Sequence, residues 1–512
     1  MDDYIWIVII GGLFSFISAM GIGANDVANS FATSVGSKSL TLKQAVILAC
    51  IFETSGAILM GSHVSETIRK GIADYECFKE DPYTLMYGSM WVCFSVASWL
   101  FTASYFEMPV STTHSCIGGM IGMTIAIKGT DCVIWYVEKD TFPCIGGVSG
   151  MVISWFISPV LSAIISSSLY ISIRYFILRK RFEEKYIYYA FPILIGFTMT
   201  LNTFFIIYKG AKGLNLDDTP LHIVLLTSFG IGILCSIIII PILPKIYKYI
   251  EDKNKNNEII ETIQPINKII KNVDFVYYTH NIDNSYTYAY SDNTAIISMY
   301  SPDNFKKNEI EKTSIENKDN DIINLIHNNA EVFDIRTEEF FKYLQIFTAS
   351  CSAFSHGAND VANAIGPFAA IYTIYLEGDV SEDSVMNNNA YWILTMGGIG
   401  ISTGLLLYGY KIIQAIGVKL CKITPSRGAI IELSAALVTI FGSRLKIPLS
   451  TTHCQVGAIC GIGLLESSWK DNIYGINTKI LYKTFFGWVI TCIFVGLITG
   501  ILTAQGIYAP SQ

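Results

Sequence analysis

The heptapeptide GANDVAN occurs twice in this chain, at 23–29 and again, letter for letter, at 357–363. Each copy sets an acid, Asp26 or Asp360, inside a long apolar run and flanks it with amides, Asn25 and Asn29 in the first copy, Asn359 and Asn363 in the second. An ionised carboxylate near the middle of a bilayer costs about 2.5–3.5 kcal/mol on insertion scales. Neither heptapeptide contains Lys or Arg to offset that cost. A bound cation is the natural partner. Carboxylate, amide carbonyl and backbone carbonyl are the hard oxygen ligands that small hard cations prefer.

A second motif follows each copy: PVSTTH from 109 and PLSTTH from 448. Ser111, Thr112 and Thr113, with Ser450, Thr451 and Thr452, supply six hydroxyls just after a proline and before a glycine-rich apolar run. A helix beginning there presents free N–H groups and a partial positive charge, a combination that binds oxyanions without a basic side chain. Beside cation sites, such an anion site would be electrostatically coupled to them. His114 and His453 close the motifs and are read as hydrogen-bonded residues that orient the turn, with ligation or proton carriage as the rival reading. Gly118–Gly122 and Gly457–Gly461 have the spacing of helix packing.

The elements that must position these groups are membrane helices. Of 512 residues, 51% are apolar and 15% charged, where soluble domains carry about 25% charged residues. The excess lies in runs of bilayer-spanning length. About twelve crossings are expected, the fourth, tenth and eleventh short enough to be re-entrant. Asp2 and Asp3 argue against a cleaved signal peptide. The two motifs recur in the same order, 83 residues from Asp26 to Pro109 and 88 from Asp360 to Pro448. Lys and Arg cluster after the fifth, seventh and ninth runs, which places those loops inside, the large polar loop inside and both termini outside. The first GANDVAN then starts from outside and the second from inside, an inverted repeat of the kind secondary transporters use. The fold class expected is an all-α polytopic membrane protein in a 5+2+5 plan. Residues 1–173 form the first repeat, 174–243 a two-helix insertion, 244–340 a polar, largely disordered loop, and 341–512 the second repeat. Gly21, Gly23, Gly357, Gly366, Pro109, Pro367 and Pro448 are expected to break helices near the site. Among Cys77, Cys132 and Cys144, placed outside, one disulfide is an open expectation.

The duplicated GANDVAN and P-x-S-T-T-H motifs, with SLTLKQAVILACIFETSGAILMGS at 39–62, GPFAAIY at 366–372 and TPSRGAIIELSAA at 424–436, resemble the inorganic phosphate transporter (PiT) family of sodium–phosphate symporters. The resemblance covers both repeats and not the polar loop. It implies that Asp26 and Asp360 are essential acids, that Glu53, Glu432 and His356 take part in coupling, and that Ser111 and Ser450 serve transport. Glu53 lies 27 residues after Asp26 and Glu432 lies 72 after Asp360, so the two glutamates are not repeat equivalents. The resemblance further implies symport of phosphate with sodium, held at Asp26 and Asp360, or with protons as in other members of the family.

No enzyme cofactor and no nucleic-acid partner is indicated, and the partners expected are phosphate, sodium and the lipid bilayer. A homodimer stays open. A membrane enzyme using His with Ser or Thr lacks an orienting acid nearby in sequence. A non-transporting phosphate sensor of the same fold is the remaining rival. No GxxxxGK[ST] occurs, which argues against ATP drive within the chain. The plasma membrane is the default location, no retention or transit signal being recognisable.

Overall fold

The computed structural model describes residues 2–138, 144–209, 219–254, 289–291, 294–296, 322–380, 391–444, 449–466 and 475–509. They divide into a compact unit, Met1–Pro244 with Ile326–Gln512, and a second unit, Lys245–Leu325. Within the second, the described residues form a two-stranded antiparallel ribbon, Ala289–Ser291 with Thr294–Ile296. Most of the segment expected to be disordered therefore lies outside the described residues.

The compact unit is helical. In chain order its helices are α1 Ile5–Asn25, α2 Val27–Gly36, α3 Leu42–Ile72, α4 Pro82–Tyr105, α5 Thr112–Lys128, α6 Gly147–Ile173, α7 Glu183–Lys209 and α8 Leu221–Ile239. They continue with α9 Ile335–Glu377, α10 Tyr391–Tyr408, α11 Tyr410–Gly417, α12 Pro425–Arg444, α13 Thr451–Leu465 and α14 Thr478–Tyr508. Eight helices among the described residues are long and apolar enough to cross a membrane by length and composition. The chain is an integral membrane protein. α5 and α13 are short because each begins at a buried turn, and they pair with α4 and α12 as hairpins.

The packing follows a crossed plan. α1 packs on α10 while α3 packs on α9; α5 packs on α14 while α6 packs on α13. Each half thus grips the other. Small residues permit this: a methyl group on Gly23 would collide with the carbonyl of Ile401, and one on Gly404 with that of Met20. The GxxxG-like pairs do the same, Gly118 and Gly122 against the backbone of α14, Gly457 and Gly461 against that of α6, as their spacing predicts.

Of the expected breakers, Pro109 lies between α4 and α5 and Pro448 lies outside the described residues, while Gly21 and Gly23 sit inside α1. Of the two GANDVAN segments only one is broken, and at its acid. The first GANDVAN is split, α1 ending and α2 beginning at Asp26. The second runs unbroken through Gly357, Gly366 and Pro367 inside the 43-residue α9. There Ser15 Oγ of α1 donates to the Ala364 carbonyl at 3.0 Å, tying α9 to α1 just before Pro367.

The outer ends of the α4/α5 hairpin are tied by the disulfide Cys77–Cys132; Cys144 is free and exposed. The ends of α12 and α13 are tied by ions instead. Arg427, fully buried, donates to Glu466 at 3.0 Å. Arg174 pairs with Glu331, and Arg179 hydrogen-bonds Glu331 at 2.8 and 2.9 Å. The Arg179 hydrogen bonds, followed by Arg174, hold the Glu331 carboxyl below its ordinary range.

Replacing Gly404 by Val is expected to wedge α1 from α10. The loss should be about 1–3 kcal/mol, the usual cost of overpacking a close contact, read as a lower melting midpoint in detergent. An unchanged midpoint would contradict the close approach.

Candidate functional site

The two P-x-S-T-T-H turns and the two GANDVAN segments meet in one fully buried cluster. Each turn starts its helix in the same way. Ser111 and Ser450 are N-caps whose Oγ atoms accept from the N–H of His114 at 3.2 Å and of His453 at 3.4 Å. This leaves Thr112, Thr113, Thr451 and Thr452 in the first turns of α5 and α13, where free N–H groups concentrate.

Both acids lie under threonine hydroxyls. Asp26 accepts from Thr112 at 2.8 Å and, across the repeats, from Thr452 at 2.5 Å. Asp360 accepts from Thr451 at 2.6 Å, and from the amides of Asn359 at 3.0 Å and Asn363 at 3.1 Å. The Asn363 amide also faces Thr112 and Thr113, at 3.1 and 3.3 Å. Eight of the predicted residues, Asp26, Asp360, Thr112, Thr113, Thr451, Thr452, Asn359 and Asn363, therefore form one hydrogen-bonded cluster drawn from both halves. The side chain of Asn29 lies outside the described residues.

Asn25 and Asn359 have a further part. Asn25 donates to Ser104 Oγ and to the Met108 carbonyl, each at 3.0 Å, and accepts from the Val110 N–H at 3.0 Å. Asn359 reaches the Leu449 carbonyl at 3.5 Å. The first amide of each GANDVAN thus fastens the turn that follows Pro109 or Pro448. This pairing was not foreseen, because it depends on which helices the inverted packing sets side by side.

His356 sits at the centre. Its Nδ1 is 2.8 Å from Glu53 Oε2, and its Nε2 is 2.7 Å from Asp360 and 4.0 Å from Asp26. Asp26, His356 and Asp360 offer ligand atoms within 4.8 Å of one another, close enough to hold a single metal ion. Both ring nitrogens face carboxylate oxygens, so a positive charge is favoured at this point whether a proton or a metal ion supplies it. Glu53 reaches the cluster because Gly357 lets α3 approach: a methyl group there would strike the backbone of Glu53.

Glu432 stands apart, as its different spacing implies. Its carboxylate accepts from Thr33, from Ser34 at 2.8 Å and from Thr348 at 2.9 Å. These partners were missed in the sequence. Thr33 and Ser34 do carry a signal, as adjacent polar residues about one helical turn beyond GANDVAN in an apolar run.

Comparison with known proteins gives the family. The family model described as the phosphate transporter family matches residues 22–499. The chain belongs to the phosphate transporter family. It is 28% identical to the protein of Mus musculus named sodium-dependent phosphate transporter 1, over 98% of this chain and 95% of that one. It is 30% identical to sodium-dependent phosphate transporter 1-B of Danio rerio, over 98% and 96%. A solved structure titled as the sodium-dependent phosphate transporter superposes with a TM-score of 0.72 at 28% identity, covering 98% of this chain and all of that one. The family is one of transporters, and the chain is not an enzyme. Within it, the duplicated motifs are the residues brought together here.

Asn25→Ala should loosen the 108–110 turn and strand the Val110 N–H. Leaving a buried donor unpaired costs about 1–3 kcal/mol, expected as a lower melting midpoint in detergent than that of Asn25→Asp, which keeps an acceptor. Equal midpoints would remove Asn25 from this role.

Proposed function

We propose that the chain is a secondary transporter that carries inorganic phosphate across the membrane together with sodium. The observation that carries this reading is the sharing of Asp26 between the repeats, Thr112 of one turn and Thr452 of the other both donating to it. A cation held at Asp26 and Asp360 draws electron density from those carboxylates. The threonine hydroxyls then have reason to turn towards an anion at the two helix N-termini, where free N–H groups already favour one. Phosphate is thus bound by Ser111, Thr112, Thr113, Ser450, Thr451 and Thr452. Sodium is bound by Asp26 and Asp360 with the amides of Asn25, Asn29, Asn359 and Asn363. Filling one site lowers the cost of filling the other, which is the physical content of coupling.

His356 and Glu53 take part by setting the charge of the cluster between loadings, and Glu432 by a separate contact on α2 and α9. The chain spans the bilayer about twelve times. Two inverted five-helix repeats, 1–173 and 341–512, flank a two-helix insertion at 174–243 and the loop 244–340. With the loop inside and the termini outside, the repeats expose the shared site to each side in turn. The plasma membrane is the proposed location. The names of the relatives support phosphate and sodium as the cargo.

The test is uptake of radiolabelled phosphate by proteoliposomes under an inward sodium gradient against an equal choline gradient. Accumulation with sodium alone is expected, and Asp26→Asn or Asp360→Asn should reduce it to background in protein that still inserts and melts cooperatively. Uptake driven by a proton gradient and indifferent to sodium would reassign the carboxylates to proton carriage. Binding of phosphate with no uptake under either gradient would make the protein a sensor.

A further inference from the structure

Beside the threonines of both turns lies a buried aromatic box whose connections run crosswise between the repeats. His114, the third residue of α5, stacks on Trp155 of α6 with ring centroids 3.8 Å apart. Its Nδ1 lies 3.3 Å from the Trp488 carbonyl of α14. His453, the third residue of α13, lies over the Trp488 ring at 3.7 Å. Its Nδ1 lies 3.1 Å from the Trp155 carbonyl. The two imidazoles meet edge to face at 4.5 Å. Each histidine is therefore stacked on the tryptophan of its own repeat and hydrogen-bonded to the tryptophan of the other.

The protonation of the box follows from its geometry. A carbonyl oxygen only accepts, so each Nδ1 carries the hydrogen. Each Nε2 is buried without a hydrogen-bond partner. Two imidazolium rings 4.5 Å apart, neither with an acceptor for its second N–H, would repel each other in apolar surroundings. The rings are neutral, and the hydrogen bonds have one direction only.

We infer that His114 and His453 are positioning residues that form a single crossed latch, holding the two phosphate-facing turns in register and making them move as one. The inference rests on the reading of those turns as the phosphate site. Each ring follows immediately on two of the threonines, and each backbone N–H is bound to the serine that caps the same turn. Displacing α5 along α14 takes His114 off the Trp488 carbonyl. The same displacement draws the His114 ring away from the His453 ring that it meets edge to face, so the second contact is disturbed with the first. Two ordinary packing contacts would yield separately.

The experiment is a double-mutant cycle on phosphate uptake in proteoliposomes made from the full chain. His114→Phe and His453→Phe keep a ring in the stack and delete the Nδ1–H donor. Each single variant is expected to raise the phosphate KM about fivefold to tenfold, the worth of one buried hydrogen bond. The double variant should be no worse than either alone, since the latch is already open. His114→Asn, whose amide N–H takes the place of Nδ1–H, should return KM to within about twofold of the parent. Should the Phe variants fail to fold, His114→Gln and His453→Gln, which offer an N–H near the Nε2 position instead, complete the same cycle. KM increases that multiply in the double variant, or a KM unchanged in all of them, would overturn the latch. A parent protein that takes up no phosphate would instead overturn the reading on which the latch rests.

Discussion

Two carboxylates whose own motifs bring no lysine or arginine stand at the centre of a membrane protein, and most of the compact unit can be understood as what makes that tolerable. Asp26 and Asp360 are buried completely. Their oxygens are met by hydroxyls and amides, and by a histidine that touches a third buried acid, Glu53. Free backbone N–H donors can reach the middle of a bilayer only if a helix begins there, because a helix interior points its N–H groups at its own carbonyls. The requirement for donors therefore imposes the two turns. The turns impose the hairpins, and the hairpins impose helices that cross closely enough to need glycine at the contacts.

The repeats answer this requirement unequally. In the first, the chain breaks at the acid itself, with Asp26 between two helices. In the second, α9 passes through Asp360 unbroken and supplies His356 one turn earlier, where the first copy has Ile22. The centre thus combines an acid at a helix break with an acid inside a continuous helix. The His356 ring lies against the second. Such a difference gives the halves of a duplicated protein separate duties while keeping a common frame.

How much of this was legible in the sequence depends on range. The acids, the hydroxyl turns and the inverted order could be read because duplication repeats them, and because a helix N-cap is a local event at Ser111 and Ser450. The continuity of α9 was misjudged. Gly357 and Pro367 read locally as breakers, but the one admits α3 and the other sits inside a helix that Ser15 of α1 ties at the Ala364 carbonyl. The partners of Glu432, the anchoring of the turns by Asn25 and Asn359, and the tryptophan carbonyls beneath the histidines were not legible. Each joins residues on separate helices, far apart in the chain, through the tilt and register of packing, which no local pattern records.

The hairpins are fastened at their open ends by different means, the disulfide Cys77–Cys132 for α4/α5 and the Arg427–Glu466 pair for α12/α13. With the proposed sidedness, the covalent tie faces an oxidising compartment, where disulfides persist, and the ionic tie faces a reducing cytosol, where thiols stay free. Under that sidedness each hairpin is closed by a kind of bond that its own compartment leaves intact.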